Sequence, residues 1–306
     1  MINCFLSEKT SLDINRHVER VMRGLGNPEP PLDLRDVREL LNLDREYYSA
    51  NDDGILQETF SRLKVASQQI LKRPMLILDA IRKLDLKALY IPDQKRILID
   101  KDTPRLKHRW NESHEISHEI IPWHGDMMLG DNEFTLSRGC HEQIENEANY
   151  GAGRLLFLGE SFVREANDTA PKFQSIFELN KRYGNTITST LWRYVEISHL
   201  DIPMFAVVSD HPNYPKEDFS PLFPCRYFIR SPRFASEFRT INEQIIFQNI
   251  KSYCGYNKRQ MIGEGNIFLA NDNGDCYIFQ CETFFNSYDA LTLGVCKGSA
   301  SKAIIF

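Results

Sequence analysis

The five residues His114-Glu115-Ile116-Ser117-His118 constrain the fold of this chain more than any other part of it, because they read H-E-x-x-H. Residues four apart share one face of an α-helix, so both imidazoles reach a single metal ion only if the segment is helical. Glu115 then projects beside them, where it can act as a base. The pattern predicts a metal-binding helix from about residue 104 to residue 121, ended by Pro122. A catalytic zinc site usually has three protein ligands and one open position, so a third ligand is expected elsewhere.

One candidate for the third ligand is His124, which lies six residues after His118. This is the spacing of the pattern H-E-x-x-H-x-x-G-x-x-H, in which a glycine lets the backbone turn sharply. Ile121 stands at the glycine position here, and Pro122 follows it. The sequence therefore fits this pattern poorly, and His124 remains the less favoured alternative.

The other candidates lie in the acidic segment 142–149, which predicts a second helix. Glu145 and Asn149 are four positions apart and share a face, so Glu145 can bind the metal while Asn149 hydrogen-bonds a ligating imidazole from the second shell. Glu147 points to another side of the helix and is expected to be a solvated charge. Glu145 is the favoured third ligand, and Glu142 is a further alternative.

The composition is that of an ordinary globular protein, with 42% hydrophobic and 26% charged residues among 306. This length is sufficient for two domains with separate cores. No apolar run approaches the roughly 20 residues of a membrane span, and the N-terminus has no signal-peptide pattern. We expect a cytoplasmic protein without a membrane partner. The seven cysteines are odd in number and scattered, and they are expected to be reduced thiols.

Periodicity and turn signals predict a mixed α+β chain. A helix carrying a buried stripe is predicted from Ser11, as its N-cap, to Gly26. Other segments have helical or strand patterns. The predicted helices are 34–43, 55–70, 141–158 and 176–197, and the predicted β-hairpin pairs 87–91 with 96–99. Composition changes after His199, which places a domain boundary between residues 1–199 and residues 200–306.

The second predicted domain begins irregularly, because residues 200–235 contain six prolines. We interpret this stretch as a linker and an irregular entry to the domain. A helix is predicted over 236–253. Strands are predicted at 267–270, 276–280 and 290–296, the first two joined by the turn sequence Asn271-Asp272-Asn273-Gly274-Asp275.

Residues 225–259 are locally basic, with seven Lys and Arg against two Glu, a balance of +5 in a chain of net charge −5. Aromatic residues are interleaved with them, a composition that suits single-stranded nucleic acid. Arg226, Arg230 and Arg233 are the candidate effector-binding residues, with single-stranded DNA as the candidate ligand. The alternative, favoured on base rates, is that the aromatic side chains fill a core.

The two motifs together resemble the ImmA/IrrE family of metallopeptidases. The H-E-x-x-H segment is followed 27 positions later by Glu145-Asn146-Glu147-Ala148-Asn149-Tyr150-Gly151-Ala152, similar to that family's E-x-E-A-N-x-F-A, and then by a Leu-rich stretch. The resemblance covers about residues 50–200. Gly151 departs from it, because an aromatic residue is common there, as does Gly153, where alanine is frequent.

The resemblance implies a fold and a set of site residues. The fold would be a gluzincin-like minimal metallopeptidase domain, followed by a smaller mixed α/β sensor-like domain of GAF or PAS type. His114, His118 and Glu145 would bind zinc, and Glu115 would be catalytic.

The resemblance also implies cleavage of a helix-turn-helix transcriptional repressor in a stress, DNA-damage or phage-related response. Two alternatives remain at this point. One is a non-catalytic, zinc-containing regulator. The other is a DNA-binding regulator that uses residues 176–197, whose pattern resembles a helix-turn-helix. For these residues we favour an αα-hairpin that closes the peptidase core.

Overall fold

The computed structural model describes residues 5–48, 88–91, 95–103, 105–129 and 138–300. The chain forms two compact units, which we call the N-terminal unit (residues 6–159) and the C-terminal unit (residues 160–306 with the first five residues). The division falls 40 residues before the predicted boundary at 199/200. The helix predicted over 55–70 lies outside the described residues. No helix in the described ranges has the length and apolarity needed to cross a membrane.

The described elements follow the mixed α+β pattern expected from the sequence. The helices are α1 (Glu8–Gly24), α2 (Leu34–Leu41), α3 (Arg105–Ile120), α4 (Pro122–Leu129), α5 (Arg138–Leu156), α6 (Glu160–Asn167), α7 (Phe173–Tyr183), α8 (Ile187–Ile197), α9 (Pro232–Glu237) and α10 (Glu243–Tyr253). The strands are β1 (Asp44–Tyr48), β2 (Ala88–Ile91), β3 (Arg96–Asp100), β4 (Met204–Ser209), β5 (Cys225–Arg230), β6 (Gln260–Ala270), β7 (Cys276–Phe285) and β8 (Ala290–Ser299).

In the N-terminal unit, a three-stranded sheet of order β1-β3-β2 supports α3, the motif helix, which carries the H-E-x-x-H residues. Strands β2 and β3 pair antiparallel, which confirms the predicted hairpin, and β1 joins β3 in parallel. Helix α3 follows this sheet in the chain and packs against both β2 and β3. Its other principal neighbour is α5, so the two helices that carry the sequence motifs lie side by side.

Helix ends in the N-terminal unit differ in two places from the sequence-based expectation. Helix α1 is capped by Ser7, whose side chain accepts a hydrogen bond from the backbone N–H of Thr10, and not by Ser11. Pro122 does not simply end the motif helix. It begins α4, because proline lacks the N–H that the first turn of a helix leaves unused.

The C-terminal unit is built on an antiparallel sheet of order β5-β4-β8-β7-β6. One face carries an aromatic and aliphatic core in which Phe205 and Phe228 of the sheet pack with Phe234 of α9 and Ile246 of α10. The expectation that residues 200–235 are an irregular linker is wrong for β4. All six of its residues are buried, because both faces of this strand are covered by helices.

Helices α7 and α8 cover the opposite face of the same sheet. Trp192 of α8 meets Tyr227 of β5 edge to face at 5.3 Å between ring centroids, and Phe177 of α7 meets Phe284 of β7 at 5.0 Å. The αα-hairpin favoured for 176–197 is present as α7 and α8, but the expectation that it closes the peptidase core is wrong. The segment is a helix pair that belongs to the C-terminal unit, since its buried residues complete that sheet's second apolar face.

Candidate metal centre

Two histidine side chains on α3 direct their Nε2 atoms to one point. His114 Nε2 and His118 Nε2 lie 3.3 Å apart, one helical turn from each other along α3. His118 is buried and His114 is partly exposed. The arrangement follows from the i, i+4 spacing, which places both side chains on one face of the helix.

Glu145 of α5 lies close to these histidines. We call His114, His118 and Glu145, which together could hold a metal ion, the three-ligand set. Glu145 Oε2 lies 3.2 Å from His114 Nε2, and Glu145 Oε1 lies 3.8 Å from His118 Nε2. One ligand atom from each of the three residues falls within 4.8 Å of the others. Zinc bonds of about 2.0–2.2 Å at tetrahedral angles separate neighbouring ligand atoms by roughly 3.4 Å. The donor types and their spacing therefore fit a zinc ion.

Asn149 lies one turn after Glu145 and contacts the outer edge of His114. Its Oδ1 is 3.1 Å from His114 Nδ1. A carboxamide oxygen only accepts hydrogen bonds, so this contact places the proton of a neutral His114 on Nδ1. The Nε2 lone pair is then available to a metal, which is the role expected of Asn149 from its spacing.

Glu115 is buried next to the three-ligand set, with 7% of its surface exposed. Burial raises the pKa of its carboxyl group to about 7. The charge of His114 and a hydrogen bond with the backbone of Tyr90 oppose this shift, and the charge of Glu145 adds to it. A carboxylate whose pKa lies near neutrality can both accept and return a proton at physiological pH.

His124, the alternative third ligand, lies behind His118. Its Nδ1 is 3.0 Å from His118 Nδ1, on the opposite side of that ring from the Nε2 atom that faces Glu145. Glu142, the other alternative, is exposed and is not one of the three clustered residues. Of the three candidates, the structure brings only Glu145 to the two Nε2 atoms.

The expectation that Glu147 is a solvated charge is wrong. Its residue is 1% exposed, and its carboxylate accepts hydrogen bonds from Trp123 Nε1 at 2.6 Å and Gln143 Nε2 at 2.8 Å. His124 Nε2 lies 3.1 Å from the same carboxylate. The sequence carries a signal that could have shown this, because Glu147 lies three and four positions from Ile144 and Gly151, which face the helix interface.

The three candidate effector arginines differ in their exposure and in their partners. Arg226 is largely exposed and lies 3.8 Å from Asp289, whereas Arg233 binds Glu237 at 2.9 Å. Arg230 is half-buried. Asp289, which lies outside residues 225–259, therefore compensates part of the local +5 charge.

Comparisons with known proteins give one fold-level finding. No family model and no curated protein matches the sequence. Among solved structures, a Mycobacterium tuberculosis transcriptional regulator is similar with a TM-score of 0.50 and 13% sequence identity. The match covers 94% of this chain and 76% of that one. At this identity the likeness concerns the fold alone.

Proposed function

We propose that this protein is a zinc-dependent endopeptidase of the gluzincin type. The observation that carries the proposal is the convergence of two histidine Nε2 atoms and the Glu145 carboxylate, with Glu115 buried beside them. Hydrolytic zinc sites combine three protein ligands and an open position for water with a neighbouring carboxylate that acts as a base and does not bind the metal. His114 and Glu145 are partly exposed, so solvent and a substrate can reach the set from that side.

Glu115 performs the proton transfers in this proposal. When bound, zinc lowers the pKa of a coordinated water towards about 7 and polarises the scissile carbonyl. The Glu115 carboxylate accepts the proton of the water as its oxygen attacks the carbonyl carbon. It then delivers this proton to the amine nitrogen as the peptide bond breaks, which restores the carboxylate.

Strand β2 is a candidate for holding the substrate. It is an edge of the sheet among the described strands, and α3 packs against it. An extended peptide can add to such an edge through backbone hydrogen bonds. The contact between Tyr90 of β2 and Glu115 places this strand beside the proposed base.

The resemblance to the ImmA/IrrE family supports a helix-turn-helix repressor as the substrate. The antiparallel sheet of the C-terminal unit, with helices on both faces, supports a GAF- or PAS-like sensor that gates cleavage. Single-stranded DNA is the candidate signal, through exposed cations such as Arg226. Faster cleavage with an oligonucleotide at low salt, and a smaller effect at high salt, is the expected result.

The decisive experiment compares the wild type with Glu115→Gln and Glu142→Gln. Both variants replace a carboxylate by an amide, but only Glu115 lies beside the three-ligand set. Each zinc-loaded protein is incubated with the helix-turn-helix repressor that a neighbouring gene encodes, with and without a chelator. We expect cleavage by the wild type and Glu142→Gln, no cleavage by Glu115→Gln, and unchanged zinc content in all three, because Glu115 is not a ligand.

The outcome also separates the alternatives. Cleavage by Glu115→Gln at the wild-type rate would refute the mechanism. Repressor binding by a zinc-loaded wild type that cuts none of the repressors tested would favour the non-catalytic regulator. Specific duplex DNA binding that survives chelation would favour the DNA-binding regulator.

A further inference from the structure

Three buried side chains, those of Glu147, His124 and His118, form a hydrogen-bonded series. It runs from α5 to His118, the more buried of the two histidines at the proposed metal position. Glu147 Oε2 lies 3.1 Å from His124 Nε2, and His124 Nδ1 lies 3.0 Å from His118 Nδ1. All three residues are less than 5% exposed. The far nitrogen of the series, His118 Nε2, is one of the atoms that meet at the proposed metal position.

The direction of each hydrogen bond in this series follows from the acceptor at its end. An ionised carboxylate only accepts, so His124 Nε2 carries a proton and donates it to Glu147. A neutral His124 then has a bare Nδ1, which accepts the N–H of His118 Nδ1. His118 in turn has a bare Nε2, the form that binds a metal.

The environment of Glu147 keeps this carboxylate an acceptor. Trp123 Nε1 and Gln143 Nε2 both donate to it, in addition to His124. Neither an indole N–H nor a carboxamide NH₂ can accept a proton from it. Burying this charge would be costly without such donors, so three donors around one buried carboxylate indicate a group held ionised.

We propose that His124 and Glu147 are positioning residues that fix the Nδ1–H tautomer and the ring orientation of His118. This inference rests on the proposed zinc site and deepens it. His114 obtains the same tautomer from Asn149 at the partly exposed side of the site, so each imidazole has its own acceptor. Partners of this kind commonly change metal affinity by about 10- to 100-fold when they are removed.

A matched pair of variants at His124 tests the role of its Nδ1 acceptor. Asn and Leu have similar size, but Asn has an oxygen at the position of Nδ1 and Leu has no acceptor. Zinc affinity is measured by competition with a chromophoric chelator. We expect His124→Leu to bind zinc about 10- to 100-fold more weakly than the wild type. His124→Asn should retain most of the affinity, because its oxygen accepts the His118 N–H. Equal affinity of the two variants would show that His124 merely fills space and would overturn the proposal.

The tautomer itself is measured by long-range ¹H–¹⁵N NMR of the histidine rings in the metal-free protein. We expect His118 to be protonated at Nδ1 in the wild type and in His124→Asn, and to shift towards Nε2–H in His124→Leu and in Glu147→Leu, which removes the acceptor of His124 Nε2. Glu142→Leu, the same chemical change on the same helix, should leave the ring unaltered. An unchanged His118 tautomer in both His124→Leu and Glu147→Leu would refute the inference.

These readouts separate failure of this inference from failure of the proposed function. Neither measurement requires cleavage of a substrate, and the NMR experiment does not require zinc. A protein that holds the predicted tautomer but cuts no repressor would retain the positioning role and lose the peptidase proposal. If Glu147→Leu does not fold, the His124 pair still decides the question.

Discussion

At the scale of single residues, the burial of Glu115 destabilises the folded protein when the carboxyl group of this residue is ionised. Its pKa is raised from 4.5 to about 7, chiefly by burial. The unfolded chain therefore loses the proton at lower pH than the folded protein does. Stability of the metal-free protein should fall as pH rises from about 4.5 to about 7, and the loss should stay constant above that.

Replacing Glu115 by Gln should relieve this loss, because the amide is neutral at every pH. In metal-free protein, we expect the free energy of unfolding of Glu115→Gln to exceed that of the wild type by a larger margin at pH 8 than at pH 5. The margin should increase by on the order of 2–3 kcal/mol between these two pH values. Urea unfolding at the two pH values, with chelator present, measures the difference. Glu142→Gln should show no such pH dependence. If the free energies of unfolding of Glu115→Gln and the wild type differ by the same amount at both pH values, the assigned burial of the carboxylate would be contradicted.

At the scale of elements, close packing of α3 on α5 sets the distance between the histidines and Glu145. Ala148 and Ala152 are fully buried, and a Cβ atom built on Gly151 would lie 3.1 Å from the Ser117 side chain. Ser113 also donates a hydrogen bond to the backbone oxygen of Ala152 at 3.3 Å. Small residues on both helices therefore allow the approach that brings the Glu145 carboxylate to the two histidine side chains.

A large side chain at position 151 should push the two helices apart. We expect Gly151→Leu to lower the free energy of unfolding by about 1–3 kcal/mol, as overpacking of a close interface usually does. Zinc affinity should fall as well, since Glu145 moves away from both histidines. Chelator competition and urea unfolding measure the two effects. Asn146→Leu, an exposed position on the same helix, is the control and should change neither. Wild-type zinc affinity in Gly151→Leu would mean that this contact does not position Glu145.

At the scale of the whole molecule, the boundary between units is set by the need to cover both faces of the C-terminal sheet. Strand β4 is buried along its full length, with α8 packed on it from one side. Leu191, Tyr194 and Val195 of α8 are 0% exposed. A domain that began at residue 200 would lack this layer and would expose an apolar face to water.

Two fragments test this boundary. We expect residues 160–306 to unfold cooperatively in urea, and residues 200–306 to aggregate or to bind the dye ANS without a cooperative transition. The reason is that an uncovered apolar sheet face promotes association. Circular dichroism and dye fluorescence measure both properties. Cooperative unfolding of residues 200–306 with the stability of the longer fragment would restore the boundary predicted from composition.

How much of this protein could be predicted from its sequence depends on the range of the interactions involved. Spacing along one helix is a local property, so His114 and His118 could be paired, and Asn149 could be placed one turn from Glu145. The hairpin of β2 and β3 and the turn at 271–275 are also local, because turn residues dictate them. The choice of Glu145 over His124 rested on the absence of a glycine at position 121 and on the spacing of Glu145 and Asn149. Only the packing of α3 on α5 shows which oxygen reaches the two Nε2 atoms.

Long-range packing decided the rest. An apolar run such as β4 does not reveal which helices cover it. Composition therefore placed the expected boundary 40 residues after the division into two compact units, and α8 was assigned to the wrong core. The spacing of Glu147 from Ile144 and Gly151 indicates a buried position, but it does not show which groups would stabilise a charge there; Trp123 and His124 are brought against Glu147 by the turn into α4. A buried charge requires partners distant in sequence, and only the tertiary structure supplies them.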